Sequence, residues 1–338
     1  MIEKVKDTIK KYNLIENGDK VIAAVPGGPD SIAMLDILIK LKNSKDFDFE
    51  VVVAHVNHMI RDDATADEQY VENYCKKNQV KFYVQRIDVN KYANNNKMGI
   101  EEAGRKIRYN FFDEVMKITK SNKIAIAHNK NDKVETIMMN IIRGAGLAGL
   151  KGIESKRNNK YIRPLIECER NEIENYCNEN KLEPRIDKTN FENDYTRNKI
   201  RNVVLPYIKE EFNPNFIETI NRLSKVAAET EEFLEVETIK IYKDIVLEEE
   251  KETIVLDLKR FNSQELLLRK RVLIYTIAKV LGNVQNIEKV NIDDLIKLCE
   301  NNIGNKYLKP RKEIKIKVNK GKIFFERLNW VSVKPLDL

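Results

Sequence analysis

Two adjacent glycines and an aspartate lie where a strand-like segment gives way to a helix-like one. Residues 20–25 read KVIAAV, Pro26-Gly27-Gly28-Pro29-Asp30-Ser31 follow, and residues 32–38 read as a helix. Glycines let backbone amides approach a phosphate, and a helix start adds free N–H groups and a positive dipole end. A carboxylate at Asp30 favours a metal ion between it and the phosphates. The segment predicts a nucleotide-phosphate loop with neither Walker nor dinucleotide spacing, and an ordinary strand–turn–helix connection is the alternative.

The three histidines all lie in the first half of the chain, after strand-like segments. His55 and His58 flank Asn57 in the segment after the second strand, and His128 follows the fourth. These positions favour side chains that line a nucleotide crevice. Structural histidines at strand ends remain an alternative, and so does zinc, although no third strong ligand has matching spacing.

Two arginines in the helix-like segment 100–119 are candidates for anion binding. Arg105 and Arg108 are three residues apart, so they share one face of the helix. Two guanidinium groups suit a phosphate or a pyrophosphate leaving group. Salt bridges to Glu101 and Glu102 would explain the same arginines without a ligand.

A glycine-rich basic segment, residues 143–152, begins with Arg143 and contains Lys151. It predicts either a mobile substrate loop or a helix cap followed by a turn. Asp132 and Glu135 lie in the helix-like segment just before it.

A second basic segment combines residues 187–190 with residues 194–202. Arg197, Lys199 and Arg201 lie there close to an aromatic residue, which favours a nucleic-acid or phosphate surface. A helix start capped by Thr196 is the alternative.

Strand-like and helix-like segments alternate through the first 205 residues. The strands are predicted at 21–25, 49–54, 81–87 and 123–127, and the helices at 31–41, 66–77, 100–119 and 132–143. Continuous apolar strands between amphipathic helices indicate an α/β fold with a doubly wound, mostly parallel, Rossmann-like sheet. Such sheets bind ligands beyond the carboxyl ends of their strands, where three of the candidate motifs lie.

The remainder of the chain predicts a smaller, mainly helical domain that ends in a β-hairpin. Prolines and the FNPN turn at 212–215 end the alternating pattern, and a long helix is expected at 216–250. Two or three helices are expected at 263–300, and alternating residues between 309 and 330 predict the hairpin, with its turn at 319–321. The predicted division is 1–205 for catalysis, 206–250 as a linking or bracing helix, and 251–338 as a basic domain.

Composition and charge narrow the class of protein. The 338 residues are 42% apolar and 33% charged, and no apolar run approaches the length of a membrane span. Four scattered cysteines favour a reducing cytoplasm. Residues 206–250 carry 5 basic and 12 acidic side chains, whereas residues 251–338 carry 19 and 10. The basic end favours a polyanionic partner, with a solvated lysine-rich surface as the alternative.

The order of these motifs over residues 18–205 resembles the isoleucine-tRNA lysidine synthetases of the PP-loop, or N-type ATP pyrophosphatase, superfamily. The matching blocks are GGPDS at 27–31, HVNH at 55–58, EAGRKIRY at 102–109, AHNKNDKVET at 127–136, RGAGLAGL at 143–150, RPL at 163–165, DKTN at 187–190 and YTRNKIR at 195–201. Related thiolation enzymes share the first block only, and they tend to use paired cysteines.

The resemblance implies a two-step reaction with ATP and Mg²⁺ as cofactors. ATP adenylates oxygen 2 of the wobble cytosine in tRNA(Ile) with a CAU anticodon, and pyrophosphate leaves. The ε-amine of free L-lysine then attacks carbon 2 and displaces AMP. A cytoplasmic enzyme is expected, and a homodimer is left open.

The resemblance also implies roles for particular residues. Asp30 would hold the metal, Gly27, Gly28 and Ser31 would cradle phosphates within the loop from Pro26 to Ser31, and His55 and Asn57 would lie by the adenosine or α-phosphate. Arg105 and Arg108 would approach the phosphates or a flipped base, and His128, Asp132 and Glu135 would orient lysine and the metal. The tRNA is expected at Arg143, Lys151, Arg197, Lys199, Arg201, Lys309, Arg311 and Lys312.

Two departures from the family pattern matter. The family loop begins Ser-Gly-Gly, whereas this chain has Pro26, which lacks both a hydroxyl and a backbone N–H. Many members also carry a further C-terminal domain, so acceptor-stem contacts are in doubt. Two alternatives therefore remain: a tRNA-binding relative with weakened catalysis, and another PP-loop enzyme that uses sulfur or ammonia as nucleophile.

Overall fold

The computed structural model describes residues 1–59, 64–185, 196–301 and 306–328. These form two compact units, Met1–Ala228 and Glu229–Leu338. The predicted segment 187–190, residues 194–195 and the end of the expected hairpin beyond residue 328 lie outside the described residues. The three-part functional division by sequence stays a prediction.

Helices and strands alternate in the first unit, as expected for an α/β fold. In chain order they are α1 Ile2–Lys11, β1 Asp19–Ala24, α2 Pro29–Lys42, β2 Phe49–Asn57, α3 Ala64–Lys77, β3 Lys81–Arg86, α4 Val89–Asn96, α5 Ile100–Thr119, β4 Lys123–Ala125, α6 Lys130–Ile142, α7 Leu147–Leu150, β5 Lys156–Arg157, β6 Tyr161–Ile162, α8 Arg170–Glu179, α9 Thr196–Lys199, a π-helical turn Ile200–Val204, and α10 Leu205–Glu211. A long helix, α11 Phe216–Ile245, contains the boundary between the units.

The sheet of the first unit has the order β3-β2-β1-β4-β6-β5. Every pair is parallel except β5 with β6, so the prediction of a doubly wound, mostly parallel sheet is confirmed. One apolar cluster packs α1, α2 and part of α3 against one face, and a second packs α5 against the other. The carboxyl ends of β1, β2, β4 and β6 therefore meet at one edge.

Buried hydrogen bonds fix the helix that follows the candidate phosphate loop. Helix α2 is apolar almost all round because it is buried nearly all round. Its buried carboxylate, Asp36, accepts hydrogen bonds from the hydroxyls of Tyr74 on α3 and Tyr176 on α8. Lys40 adds an ion pair of 2.8 Å within the same helix. These contacts tie α2 to its neighbours.

The second unit contains an antiparallel sheet of order β7-β8-β11-β10-β9. Its elements are β7 Val246–Glu249, β8 Thr253–Asp257, α12 Leu258–Asn262, α13 Leu266–Leu281, α14 Lys289–Asn301, β9 Tyr307–Arg311, β10 Ile314–Asn319 and β11 Lys322–Arg327. The predicted hairpin is confirmed by the pairing of β10 with β11, and Ile314, Ile316 and Val318 are buried as the alternation requires.

The sequence prediction was wrong about the end of the long helix. Residues 246–249 form a strand instead of continuing α11, because β7 pairs with β8 and extends the sheet. Among the described residues, no helix is long and apolar enough to cross a membrane.

Candidate active site

The glycine loop between β1 and α2, which is the predicted phosphate cradle, is held by hydrogen bonds of its own. Gly27 has a φ of +109°, a backbone conformation that favours glycine, and its N–H donates to the Ser31 hydroxyl oxygen at 3.2 Å. That hydroxyl donates in turn to the Gly28 carbonyl oxygen at 2.9 Å. Ser31 therefore braces the loop from inside, while Pro26 is exposed at its start. Pro29 occupies the first turn of α2, where its missing N–H costs nothing.

Asp30 joins this loop to the segment that follows the neighbouring strand β4. One of its carboxylate oxygens accepts a hydrogen bond of 2.9 Å from the side-chain amide of Asn129. Asn129 caps α6 and forms a capping box with Asp132. Burial, and then the negative charge of Asp132, raises the pKa of Asp30 to about 6. A bound cation would therefore offset the unfavourable burial of this carboxylate and its repulsion by Asp132.

His128 lies at the carboxyl end of β4, where the sequence prediction expected it. Its Nδ1 accepts a hydrogen bond of 3.1 Å from Nε of Arg163, so the neutral ring carries its proton on Nε2. Burial is the main cause that lowers the pKa of His128 to about 4, and Arg163 contributes. The Arg163 guanidinium also donates to the Glu154 carbonyl oxygen at 2.5 Å. Arg163 was not singled out as a site residue, although the sequence block RPL contains it.

The carboxylates of Asp132 and Glu135 are both held by arginines. The two residues are three apart on α6, so they share one face, and Glu135 is fully buried. Arg197 lies 2.8 Å from Glu135 and 3.1 Å from Asp132, and Arg201 lies 2.7 Å and 3.1 Å from the same two carboxylates. Arg170, at the start of α8, lies 3.6 Å from both. No sequence motif indicated Arg170.

These five side chains form an ion-pair cluster, called the knot below. Arg197 and Arg201, which the sequence predicts to bind tRNA, are part of it. Their guanidinium groups are directed at carboxylates of the same unit, while the neighbouring Lys199 is exposed. A cavity of about 400 Å³ opens beside the knot. Its lining includes Glu135, Arg170, Arg201, Leu205, Lys209 and Glu210.

His55 on β2 contacts the start of the loop, whereas Asn57 contacts α3 and Met59. The buried His55 donates from Nδ1 to the Val25 carbonyl oxygen at 2.8 Å, just before the glycine turn. Asn57 donates to the carboxylate of Glu68 at 2.9 Å and accepts from the Met59 N–H at 3.0 Å. Both predicted nucleotide-binding side chains thus lie at the expected edge of the sheet with contacts inside the protein.

Arg105 and Arg108 lie on the first half of α5, beside the histidines. Both are exposed, and among the described residues neither has a carboxylate within 4.0 Å. Desolvation by surrounding protein atoms is the main cause that lowers the pKa of Arg108, and the charge of Arg105 lowers it further. Burial and the charge of Arg108 together lower the pKa of His58 to about 4.

The remaining predicted tRNA contacts are divided between the two units. Arg143 is exposed at the end of α6, and Lys151 pairs with Glu154 at 3.2 Å. The glycine-rich segment between them forms a turn with Gly144 at φ +74° and then the short helix α7. In the second unit, Lys309 and Lys312 are exposed, and Arg311 pairs with Glu313 at 3.1 Å.

Comparison with known proteins identifies the family. The PP-loop domain family matches residues 1–208. The tRNA(Ile)-lysidine synthase of Clostridium acetobutylicum is 45% identical over 311 residues, which is 92% of this chain and 67% of that relative. The chain belongs to the tRNA(Ile)-lysidine synthase family. The tRNA(Ile)-lysidine synthase of Clostridioides difficile is 44% identical over 309 residues, 91% of this chain and 66% of the relative.

Membership in the tRNA(Ile)-lysidine synthase family confirms the resemblance found in the sequence and implies the use of ATP. The chain spans about two thirds of the length of these curated relatives. A solved structure, the U34-tRNA thiolase NcsA from Methanococcus maripaludis with its [4Fe-4S] cluster, matches with a TM-score of 0.53 at 20% identity. The match covers 66% of this chain and 78% of the thiolase, and it shows a shared fold.

Proposed function

We propose that this chain joins free lysine to carbon 2 of the wobble cytidine of tRNA(Ile) with a CAU anticodon, through an adenylated intermediate that ATP supplies. The products are lysidine, AMP and pyrophosphate. Family membership supports the reaction, and one structural observation carries it: Asp30 lies at the start of α2 beside a glycine phosphate cradle, with a raised pKa that favours a bound cation. A cytoplasmic location and a homodimer are part of the same proposal.

Magnesium fits the residues at this loop. Among the described residues, no three His, Cys, Asp or Glu side chains are arranged to hold a metal ion. Mg²⁺ commonly takes only one or two carboxylates and completes its shell with water and substrate phosphates. Asp30 would hold the ion with the phosphates of ATP. The metal would offset the charge that develops on departing pyrophosphate.

The side chains around the loop suit the first step. Neutral cytosine is a poor electrophile, so its carbonyl oxygen must become part of a leaving group before an amine can attack. Arg105 and Arg108 lie on the helix beside the loop, where they would stabilise negative charge on phosphates. His128 would donate a hydrogen bond from Nε2, since Arg163 already occupies Nδ1.

The cavity beside Glu135 suits the second substrate. Its volume of about 400 Å³ exceeds what one amino acid needs, and its wall carries both signs of charge. Arg170 and Arg201 would bind the α-carboxylate of lysine, and the carboxylates of Asp132 and Glu135 would bind its α-ammonium group. When lysine binds, some of the ion pairs between these arginines and carboxylates would be replaced by ion pairs with the substrate.

Lysine incorporation tests the proposed function. The protein is incubated with ATP, Mg²⁺, radiolabelled lysine and tRNA(Ile) bearing a CAU anticodon, with an otherwise identical tRNA bearing a different wobble base as control. We expect label in the first tRNA only, together with one AMP per lysine. Asp30→Asn serves as the matched inactive variant. Failure of the wild-type protein to incorporate lysine would contradict the proposal.

A second candidate function is tRNA binding without catalysis. The observation that favours it is Pro26, which is exposed at the start of the cradle and offers no N–H to a phosphate. Tight binding of tRNA(Ile) without release of AMP would support this candidate instead.

A further inference from the structure

Four arginines gather on the α5 side of the sheet. They are Arg105 and Arg108 on α5, Arg157 at the end of β5, and Arg163 just after β6. Among the described residues, no carboxylate lies within 4.0 Å of any of the four guanidinium groups. Burial is the main cause that lowers the pKa of Arg163, and the charges of Arg157 and Arg105 lower it further. In the described part of the chain, no carboxylate therefore forms an ion pair with the cluster, and Glu154 offsets its positive charge only through a longer-range interaction with Arg163.

Two tyrosines contact the guanidinium groups of Arg105 and Arg157. Tyr109 and Tyr161 contact each other edge to face with ring centroids 5.2 Å apart. The Arg157 guanidinium carbon lies 4.7 Å from the Tyr161 centroid, and that of Arg105 lies 5.1 Å from the Tyr109 centroid. Cation–π contacts fix the arginine planes without neutralising their charge. Within the described structure the Nε atom of Arg157 is buried and has no hydrogen-bond partner.

The position of the cluster separates it from the triphosphate. The cradle follows β1, His128 follows β4, Arg163 follows β6, and Arg157 belongs to the edge strand β5. Adjacent strands are about 4.8 Å apart, so β5 lies roughly 14 Å from β1. Because this separation exceeds the length of a triphosphate, an anion bound at Arg157 would be a group other than the phosphates held at the cradle.

We propose that Arg105 and Arg157, backed by the buried Arg163, bind a backbone phosphate of the RNA strand next to the nucleotide that is modified. This inference rests on the proposed function for the identity of the RNA. A single strand that runs from the carboxyl edge across the α5 face of the sheet would place one nucleotide beside the ATP at the cradle and an adjoining phosphate at this cluster. The contact reads no base, so it positions the strand rather than selecting its sequence.

Arg157→Gln tests the site, and Arg105→Gln provides a second variant at an exposed position. Lys76→Gln is the matched control, because it removes one positive charge from α3, which packs on the opposite face of the sheet. The dissociation constant of tRNA(Ile) is measured for each variant over a series of salt concentrations, and that of ATP is measured without tRNA. Melting temperatures show whether each variant is folded.

We expect each arginine variant to bind tRNA(Ile) roughly tenfold more weakly at low salt. The slope of log affinity against log salt should fall by about 0.7 for each phosphate that the variant no longer neutralises. Arg157→Lys should restore most of the slope because it restores the charge. ATP affinity should stay unchanged in Arg157→Gln and Arg157→Lys, and Lys76→Gln should behave as wild type.

Two results would overturn the inference. One is tRNA binding by both folded arginine variants that matches Lys76→Gln in affinity and salt slope. The other is a weakened ATP affinity with unchanged tRNA affinity, which would assign the cluster to the nucleotide. Because these measurements use binding alone, they are independent of lysine incorporation, whose failure would contradict the proposed function and not this site.

Discussion

At the scale of single residues, Asp30 combines a functional position with a cost in stability. Its carboxylate is held by one hydrogen bond from Asn129 and lies near a second carboxylate, Asp132. The raised pKa means that the folded protein binds a proton at Asp30 more tightly than the unfolded chain does. The ionised side chain therefore opposes folding at neutral pH, and a cation bound there would reverse that effect.

Asp30→Asn should stabilise the metal-free protein at neutral pH. Asparagine keeps an oxygen that accepts from Asn129 and removes the charge. The gain should be about 1–3 kcal/mol at pH 7, from a pKa that rises from 3.8 to about 6. Because the folded pKa is raised, the wild type is penalised progressively as pH rises from 4 to 6. The difference in unfolding free energy should vanish below pH 4, as urea titrations at several pH values would show.

Magnesium provides the control for this prediction. MgATP should raise the melting temperature of the wild type and leave that of Asp30→Asn nearly unchanged. Equal stabilisation of both proteins would place the metal elsewhere.

Pro26 is the residue at which this chain departs from the pattern that its family resemblance implies. Pro26→Ser should restore a hydroxyl and a backbone N–H at the exposed start of the cradle. If both bind phosphate, each charge-assisted hydrogen bond contributes about 1.5–3 kcal/mol. We expect at least a tenfold lower dissociation constant for ATP by calorimetry and faster pyrophosphate turnover. Pro310→Ser, in the second unit, is the control, and an unchanged or lower rate in Pro26→Ser would refute the prediction.

At the scale of elements, α6 organises the site. Its N-terminus binds Asp30 through Asn129, and its next turns present Asp132 and Glu135 to arginines from α8, α9 and the π-helical turn. A buried charge that loses its partner is costly, so these ion pairs hold together segments that are far apart in the chain.

Glu135→Gln should destabilise the first unit by about 3–5 kcal/mol, because Arg197 and Arg201 would lose a fully buried counter-charge. Glu72→Gln is the matched control on α3, where the ion pair with Lys76 is solvent-exposed and should contribute under about 1 kcal/mol. Urea unfolding of both variants measures the difference. Similar losses in the two proteins would mean that the knot does not stabilise the fold.

Two glycines after α6 allow the backbone strain caused by an added side chain to be separated from its steric clash. Gly144 and Gly152 have φ values of +74° and +65°, but an added Cβ meets nothing within 4 Å at Gly144, whereas at Gly152 it lies 2.7 Å from Ile137. Gly144→Ala should cost about 1 kcal/mol of unfolding free energy from backbone strain alone. Gly152→Ala should cost at least about 1 kcal/mol more from the clash. Equal losses in thermal unfolding would contradict this.

At the scale of the whole molecule, each unit has its own apolar core. The first unit contains the proposed chemistry, and in the second unit strands β9, β10 and β11 carry five of the eight basic residues between 306 and 322. Several of those residues are paired within the unit: Lys317 with Glu326, Lys322 with Glu248, and Arg311 with Glu313. Lys309 is exposed beside Tyr307.

Lys309→Gln should therefore weaken tRNA binding more than Lys317→Gln does, although both remove one charge. A contact with phosphate predicts a salt slope reduced by about one unit for Lys309→Gln. Filter binding over a range of salt concentrations compares the two. Equal effects would indicate that the second unit attracts tRNA through net charge alone, or not at all.

The sequence by itself determined the fold class and the position of the cradle. Hydrophobic runs of strand length between amphipathic helices are local patterns, and parallel strands must bring the segments after Val25, Ala54 and Ala127 to one edge. The bounds of α5 were predicted to the residue, because its apolar periodicity is continuous. Strands β5 and β6 were missed, since two residues each leave no periodic signal.

Only the tertiary structure decided which charges meet. Arg197 and Arg201 looked like a nucleic-acid surface in the sequence, yet they pair with Glu135 more than 60 residues away. Arg157 and Arg163 belong to no helix face or strand pattern, and they come near Arg105 because Tyr109 on α5 contacts Tyr161 on β6. Ion pairing depends on distances between elements, and local sequence spacing sets those distances only within an element.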